Sequence, residues 1–192
     1  QRWLADEMRA AGLSVIEVES WQNRGRPAST GSFNPRGATT VHHVGARTSQ
    51  SNPAAGLQLL ITGRSDLPGP LAQIATDYNG NVYIIAAGRA NHAGRIGKPG
   101  VVGMPLGGDG NEHSIGNEVM TDGIQKMPKA QEEAIALAAA VITLHNARNS
   151  TWAHRHEDIS PTGKWDLGQW TTAELRRRVA NAQNFVAKKK TT

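Results

Sequence analysis

The segment HEDISPTGKWDLG, residues 156–168, places an imidazole, an amine and a carboxylate at short fixed separations in a turn-rich stretch. His156 precedes Asp166 by ten positions, and Ser160, Pro161 and Gly163 bend the chain between them, so both side chains can reach one divalent ion. One further ligand would complete the set used by hydrolytic zinc, which takes three protein ligands and a water whose pKa falls to about 7. The chain has no cysteine, so any metal site must be built from histidine and carboxylate. The remaining histidines are His42, His43, His92, His113, His145 and His154.

The elements that must position these groups can be read in order. Apolar residues at 4, 8 and 11, followed by Gly12, predict a short helix over residues 3–11, and Val15, Ile16 and Val18 predict a strand. Residues 24–36 read as loop. TTVHHVGA, residues 39–46, reads as a central strand with His42 and His43 on opposite faces. Asn52, Pro53 and Gly63 bracket a helix over AAGLQLLIT, and residues 67–71 break the chain. Asn79-Gly80 joins two antiparallel strands, 73–77 and 82–86. Residues 94–110 are glycine-rich without periodicity and lack the pattern of a phosphate loop, so they read as a mobile rim of a cleft. A strand over 114–120 carries Glu118. Residues 129–147 form the longest helix, whose face of Ile135, Leu137, Ala138, Val141, Ile142 and Leu144 must pack on a sheet. Residues 152–156 return as a strand, and a helix over 171–187 follows, opened by a Thr171/Glu174 capping box and a Trp170/Leu175 staple. Residues 188–192 form a frayed basic tail. The sum is an α/β chain of one domain, 1–192, with a mixed central β-sheet flanked by helices on both faces and a motif-bearing core over about 39–170.

Composition narrows the partners. The formal charge of +5 includes three lysines at 188–190, and the aromatic residues are not interleaved with Lys and Arg, so a nucleic-acid partner is not expected. No apolar run approaches the roughly 20 residues of a membrane span, and no charged-then-apolar leader opens the chain. A start at Gln1 rather than Met is compatible with an excised module or a processed form.

The segment 156–168 resembles the C-terminal motif of zinc-dependent N-acetylmuramoyl-L-alanine amidases, the family that includes bacterial wall amidases, phage lysozyme-like amidases and peptidoglycan recognition proteins. VHHV at 41–44, NHAG at 91–94 and SIGNE at 114–118 resemble its other motifs, in the same order. Residues 4–27 further resemble the leading segment of amidase modules in endolysins of phages that infect actinobacteria. The resemblance implies an α/β fold, one Zn2+ held by His42, His156 and Asp166, Glu118 as general base, and Lys164 as donor to the oxyanion. It also implies a peptidoglycan substrate, action on the bacterial cell wall, no membrane insertion and a monomer. His92 and Asn91 would line the substrate groove, with a structural role for His92 as the alternative.

His154 competes with His156 for the metal, since both would share one face of a strand. The family interval to the aspartate selects His156 and leaves His154 as wall or neighbour to the ligands. Two departures stand out. Family members usually carry Asp-Pro-Gly where this chain has Asp166-Leu167-Gly168, which implies a less rigid turn. Many carry a Tyr-His pair where it has Ala72-Gln73, which leaves Gln73 as a weaker substitute at the substrate. The implied reaction is hydrolysis of the amide between the muramic-acid lactyl group and L-alanine. The rival readings are a zinc peptidase of the stem peptide, compatible with HRH at 154–156, and a non-catalytic peptidoglycan recognition protein.

Overall fold

The computed structural model describes residues 1–189. Six strands, β1 (Val15–Glu17), β2 (Ala38–His43), β3 (Ile74–Thr76), β4 (Val82–Ile84), β5 (Ser114–Val119) and β6 (Ala153–Arg155), form one sheet in the order β1-β4-β3-β5-β2-β6. Among the strand pairs of this sheet in the described residues, only the β3–β4 hairpin is antiparallel. Asp77 closes that hairpin by accepting from the backbone N–H groups of Asn79 and Asn81 through Oδ1, at 2.9 and 2.8 Å. Gly80 sits there at φ 83°, and a Cβ would lie 2.6 Å from the Ala130 carbonyl oxygen. The expected central strand, β2, is paired on both sides but lies second from an edge.

Alternation along the strands divides the sheet into two environments. Val41, Ile74, Val82, Ile84, Ile115, Val119 and Ala153 point to the face covered by the long helices α1 (Leu4–Ala11), α4 (Lys129–His145) and α6 (Thr172–Lys189). The opposite face meets the short helices α2 (Leu57–Thr62), α3 (Gly110–His113) and α5 (His156–Ile159), together with long connecting segments. The mixed sheet covered on both faces is therefore present, with the heavy helices on one side only. Helix α4 is buried nearly all round, because Ala136, Ala139 and Ala140 are covered as well as Ile135, Ala138 and Ile142. At 17 residues it is one shorter than α6, so the expectation that it is the longest helix is corrected.

Local chemistry explains the other shifted boundaries. Helix α2 begins at Leu57 rather than after Asn52, because Gly56 is left-handed at φ 94° and Ser49 and Asn52 pair with each other in a tight bridge. Residues 152–156 do not form one strand. Asp158 accepts from the Arg155 backbone N–H at 2.9 Å and from its guanidinium, which stops β6 at Arg155 and starts α5 at His156. Helix α6 has half of its capping box: the Glu174 N–H donates to Thr171 Oγ1 at 3.1 Å, while the Glu174 carboxylate turns to Arg178. Lys188 and Lys189, expected in a frayed tail, lie in the last turn of α6, and residues 190–192 are outside the described residues.

The glycine-rich segment does not stand free of the core. Ile96 and Met104 are buried with Ala38, Ala93 and Ile159, and the Gly97 N–H donates to the Ile159 carbonyl at 2.8 Å. Residues 156–168 are pinned at several points. The Glu157 N–H donates to the Asp166 carbonyl at 2.8 Å, and Leu167, fully buried, packs with Val41, Val119 and Trp170. The Asp166–Leu167 peptide is cis. Packing of the leucine thus anchors the turn that lacks the family's proline. Leu167→Ala is expected to lower unfolding free energy by about 2–5 kcal/mol, the range for a buried leucine truncation. Chemical denaturation checks this, and a loss below about 1 kcal/mol would show that Leu167 is not an anchor.

Candidate metal centre

His42 lies near the C-terminal end of β2, on the face away from the long helices, and is paired in register with Glu118 on β5. His156 reaches the same place because β6 ends one residue earlier, and Asp166 returns ten residues later from the pinned loop. One ligand atom from each of His42, His156 and Asp166 lies within 4.8 Å of the others, and all three residues are buried. Asp166 Oδ2 is 2.9 Å from His156 Nδ1 and 3.3 Å from His42 Nδ1, and the two imidazoles meet edge-on with centroids 4.5 Å apart. Ligand atoms about 2.0–2.2 Å from a tetrahedral zinc lie roughly 3.3–3.5 Å from one another, so these side chains need only small adjustments to hold one ion.

The electrostatics agree with that use. Burial, and then the nearby His156, lowers the His42 pKa to about 4, so its imidazole is neutral and keeps a lone pair. Burial alone would raise the Asp166 pKa, but His156 and His42 against its carboxylate hold it well below the usual range. Two imidazoles and one carboxylate match a divalent ion of zinc-like preference.

Glu118 stands beside the ligands rather than among them. The residue as a whole is half-buried, but Oε2 is shut off from water and has no hydrogen-bond partner. Desolvation, with the Asp166 charge adding to it, raises the pKa to about 8, and Lys164 acts in the opposite sense. Lys164 is exposed on the loop that supplies Asp166.

The residues expected in a substrate groove behave differently. Gln73 is fully buried and its amide is spent on the backbone, donating to the Gly88 carbonyl at 3.1 Å and accepting from the Gly116 N–H at 2.7 Å. It is a structural tie and not a substitute for the tyrosine. His154 is also fully buried, with Nε2 2.9 Å from the Val102 carbonyl, behind the glycine-rich segment and outside the ligand cluster. It cannot serve as a substrate contact in that position. Asn91 is half-buried and donates to the Pro68 carbonyl at 2.9 Å. His92 Nδ1 lies 3.0 Å from His42 Nε2, and its own Nε2 lies 3.2 Å from the Ser114 carbonyl, so both ring nitrogens face the protein. His43 packs edge-on against Trp165. Sequence reasoning gave no role to Asn111, whose Oδ1 accepts from the N–H groups of His92 and Ala93 at 2.7 Å each and so holds the NHAG turn. Its only local signal is the Asp109 N-cap preceding α3.

Comparisons with known proteins give a family and a fold. The sequence model for N-acetylmuramoyl-L-alanine amidase matches residues 33–169. The fold is similar to the catalytic domain of XlyA, with a TM-score of 0.60 at 14% identity over 87% of this chain and 99% of that one. It is also similar to a selenomethionine derivative of AmpD, with a TM-score of 0.57 at 18% identity over 87% and 94% of the respective chains. Drosophila PGRP-LB shares the fold at a TM-score of 0.50 and 17% identity, over 78% and 86%. Comparison with curated protein sequences gives no match.

The state of Glu118 has a consequence for stability in metal-free protein. Its carboxyl binds a proton more tightly folded, with a pKa of about 8, than at its ordinary value of 4.5. Between those two values the folded state therefore carries the extra proton, and stability falls as pH rises. Buried His42 and His154, with pKa values lowered to about 4, act in the opposite sense as pH rises toward 6.5, so the Glu118 contribution is read as a difference: the Tm of metal-free protein relative to metal-free Glu118→Gln should fall from pH 5 to pH 8. An identical slope in the variant would mean that Glu118 is solvated.

Proposed function

The chain belongs to the N-acetylmuramoyl-L-alanine amidase family, and we propose that it hydrolyses the amide between the lactyl group of N-acetylmuramic acid and L-alanine in peptidoglycan, using one zinc ion. The observation that carries this reading is the convergence of His42, His156 and Asp166 beside a buried, unpartnered oxygen of Glu118. When bound by those three residues, zinc supplies Lewis acidity to the scissile carbonyl and acidifies a water.

The chain's own groups account for the rest. Glu118 Oε2 takes the proton of the attacking water, a task suited to a carboxylate whose proton affinity is raised by burial, and returns it to the departing alanine nitrogen. Lys164 stabilises the carbonyl oxygen as it gains negative charge. Asp166 Oδ2 lies 2.9 Å from His156 Nδ1 and 3.3 Å from His42 Nδ1, so it marks the point where the three donors meet. The setting is the bacterial cell wall, and among the described residues no helix is long and apolar enough to cross a membrane.

The peptidase reading is compatible with HRH at 154–156, but His154 lies outside the cluster, so that feature lends it no support. The bond cut is tested by digesting purified walls, labelling new amino termini and weighing the released stems. The amidase reading predicts free N-terminal L-alanine and unsubstituted lactyl carboxylates. Stems lacking their alanine would overturn it in favour of a peptidase, and no release from several wall types would favour a non-catalytic binder. Glu118→Gln and Lys164→Ala should each slow release by about 100-fold or more while wall binding persists. Rates close to the unaltered protein in both would remove these residues from the mechanism.

A further inference from the structure

We infer that His92 is a positioning residue that fixes the tautomer of His42, holding its Nδ1 lone pair toward Asp166 and His156, and that Ser114 and Gly116 form the seat from which it does so. The inference rests on the metal-centre reading but begins from a separate set of contacts, behind the ligands.

The direction of the relay follows from donor chemistry. The Ser114 carbonyl can only accept, so the His92 Nε2 that lies 3.2 Å from it carries the proton. In a neutral imidazole the other nitrogen is then bare, so His92 Nδ1 accepts from His42 Nε2 across 3.0 Å. His42 is in turn left with a bare Nδ1, the atom 3.3 Å from Asp166 Oδ2. The opposite tautomer would put an N–H on that nitrogen, aimed at the carboxylate, and would occupy the lone pair that a metal needs.

The fold builds the seat for this ring. Gly116, on β5 and in register with Thr40, leaves the sheet face open there, and a Cβ at that position would lie 2.6 Å from His92 Cγ and 2.8 Å from Nδ1. The two rings meet edge-on, with centroids 5.1 Å apart and planes at 85°, so the ring plane of His92 is defined by its neighbours. Its backbone is held from the other side by Asn111, and Asp109 orients Asn111 by accepting from its backbone N–H at 2.9 Å while pairing with Arg89. These contacts leave neither ring nitrogen of His92 for the substrate, which separates a positioning role from a groove contact.

The test reads the tautomer directly. In zinc-free protein, two-bond nitrogen–proton NMR spectra should show His42 and His92 both protonated at Nε2, and His42 should lose that preference in His92→Ala. Zinc affinity, measured by competition with a chromophoric chelator, should weaken by about 10–100-fold in His92→Ala. It should recover substantially in His92→Gln, whose side-chain carbonyl can accept from His42 Nε2. A His42 protonated at Nδ1 in the unaltered protein would overturn the inference, and this measurement needs no variant to fold. Unchanged zinc affinity in His92→Ala, with a raised KM for wall fragments, would overturn it in favour of a substrate contact. Absence of zinc binding in the unaltered protein would instead reject the metal-centre reading, while the tautomer result would still stand or fall by itself.

Discussion

The structure is organised around one carboxylate held against two imidazoles in a place with little water. Asp166 Oδ2 lies within 3.3 Å of both His42 and His156. Bringing these groups together out of solvent costs free energy that the His156–Asp166 hydrogen bond recovers only in part, and a shared cation is the partner that their lone pairs best fit. The surroundings supply rigidity at that point. Parallel pairing fixes His42 beside Glu118, Arg155 and Asp158 end β6 where His156 must turn inward, and Leu167 roots the loop that carries Asp166.

The split between the two sheet faces gives this arrangement its chemistry. One face is filled by α1, α4 and α6 and supplies most of the apolar burial. The other is covered by short helices and by segments rich in glycine, which pack closely but leave polar groups at the ends of β2 and β5. Burial of Glu118 Oε2 without a hydrogen-bond partner is costly for folding, and in the proposed mechanism it favours proton transfer, so stability and the proposed role oppose each other at that residue. The structural ties of Gln73, Asn111 and His92 belong to the same design: Gln73 and His92 each join a loop to the strands that bear the site, and Asn111 ties the His92 loop to α3.

Much of the site was legible because its signals are local. The ten-residue interval between His156 and Asp166, the VHHV strand and the Asn79-Gly80 hairpin all depend on neighbours in sequence, and the structure places each of them as read. What escaped depends on partners far along the chain. The start of α2 is set by the left-handed Gly56, which an apolar pattern running through it concealed. The end of β6 is set by a side chain of α5 that folds back on Arg155. Gln73 and His154 looked available for substrate because nothing local reveals that Gly88, Gly116 and Val102 claim them. The proline missing after Asp166 suggested a loose turn, and only the packed core shows Leu167 holding it.

The central claim is that His42, His156 and Asp166 bind one zinc ion together. Elemental analysis of protein purified without added metal, set beside Asp166→Ala prepared in the same way, tests it most directly. The account predicts one zinc per chain in the unaltered protein and its loss in the variant. A chain that holds no zinc even after incubation with it, or an Asp166→Ala variant that retains the full amount, would contradict the account.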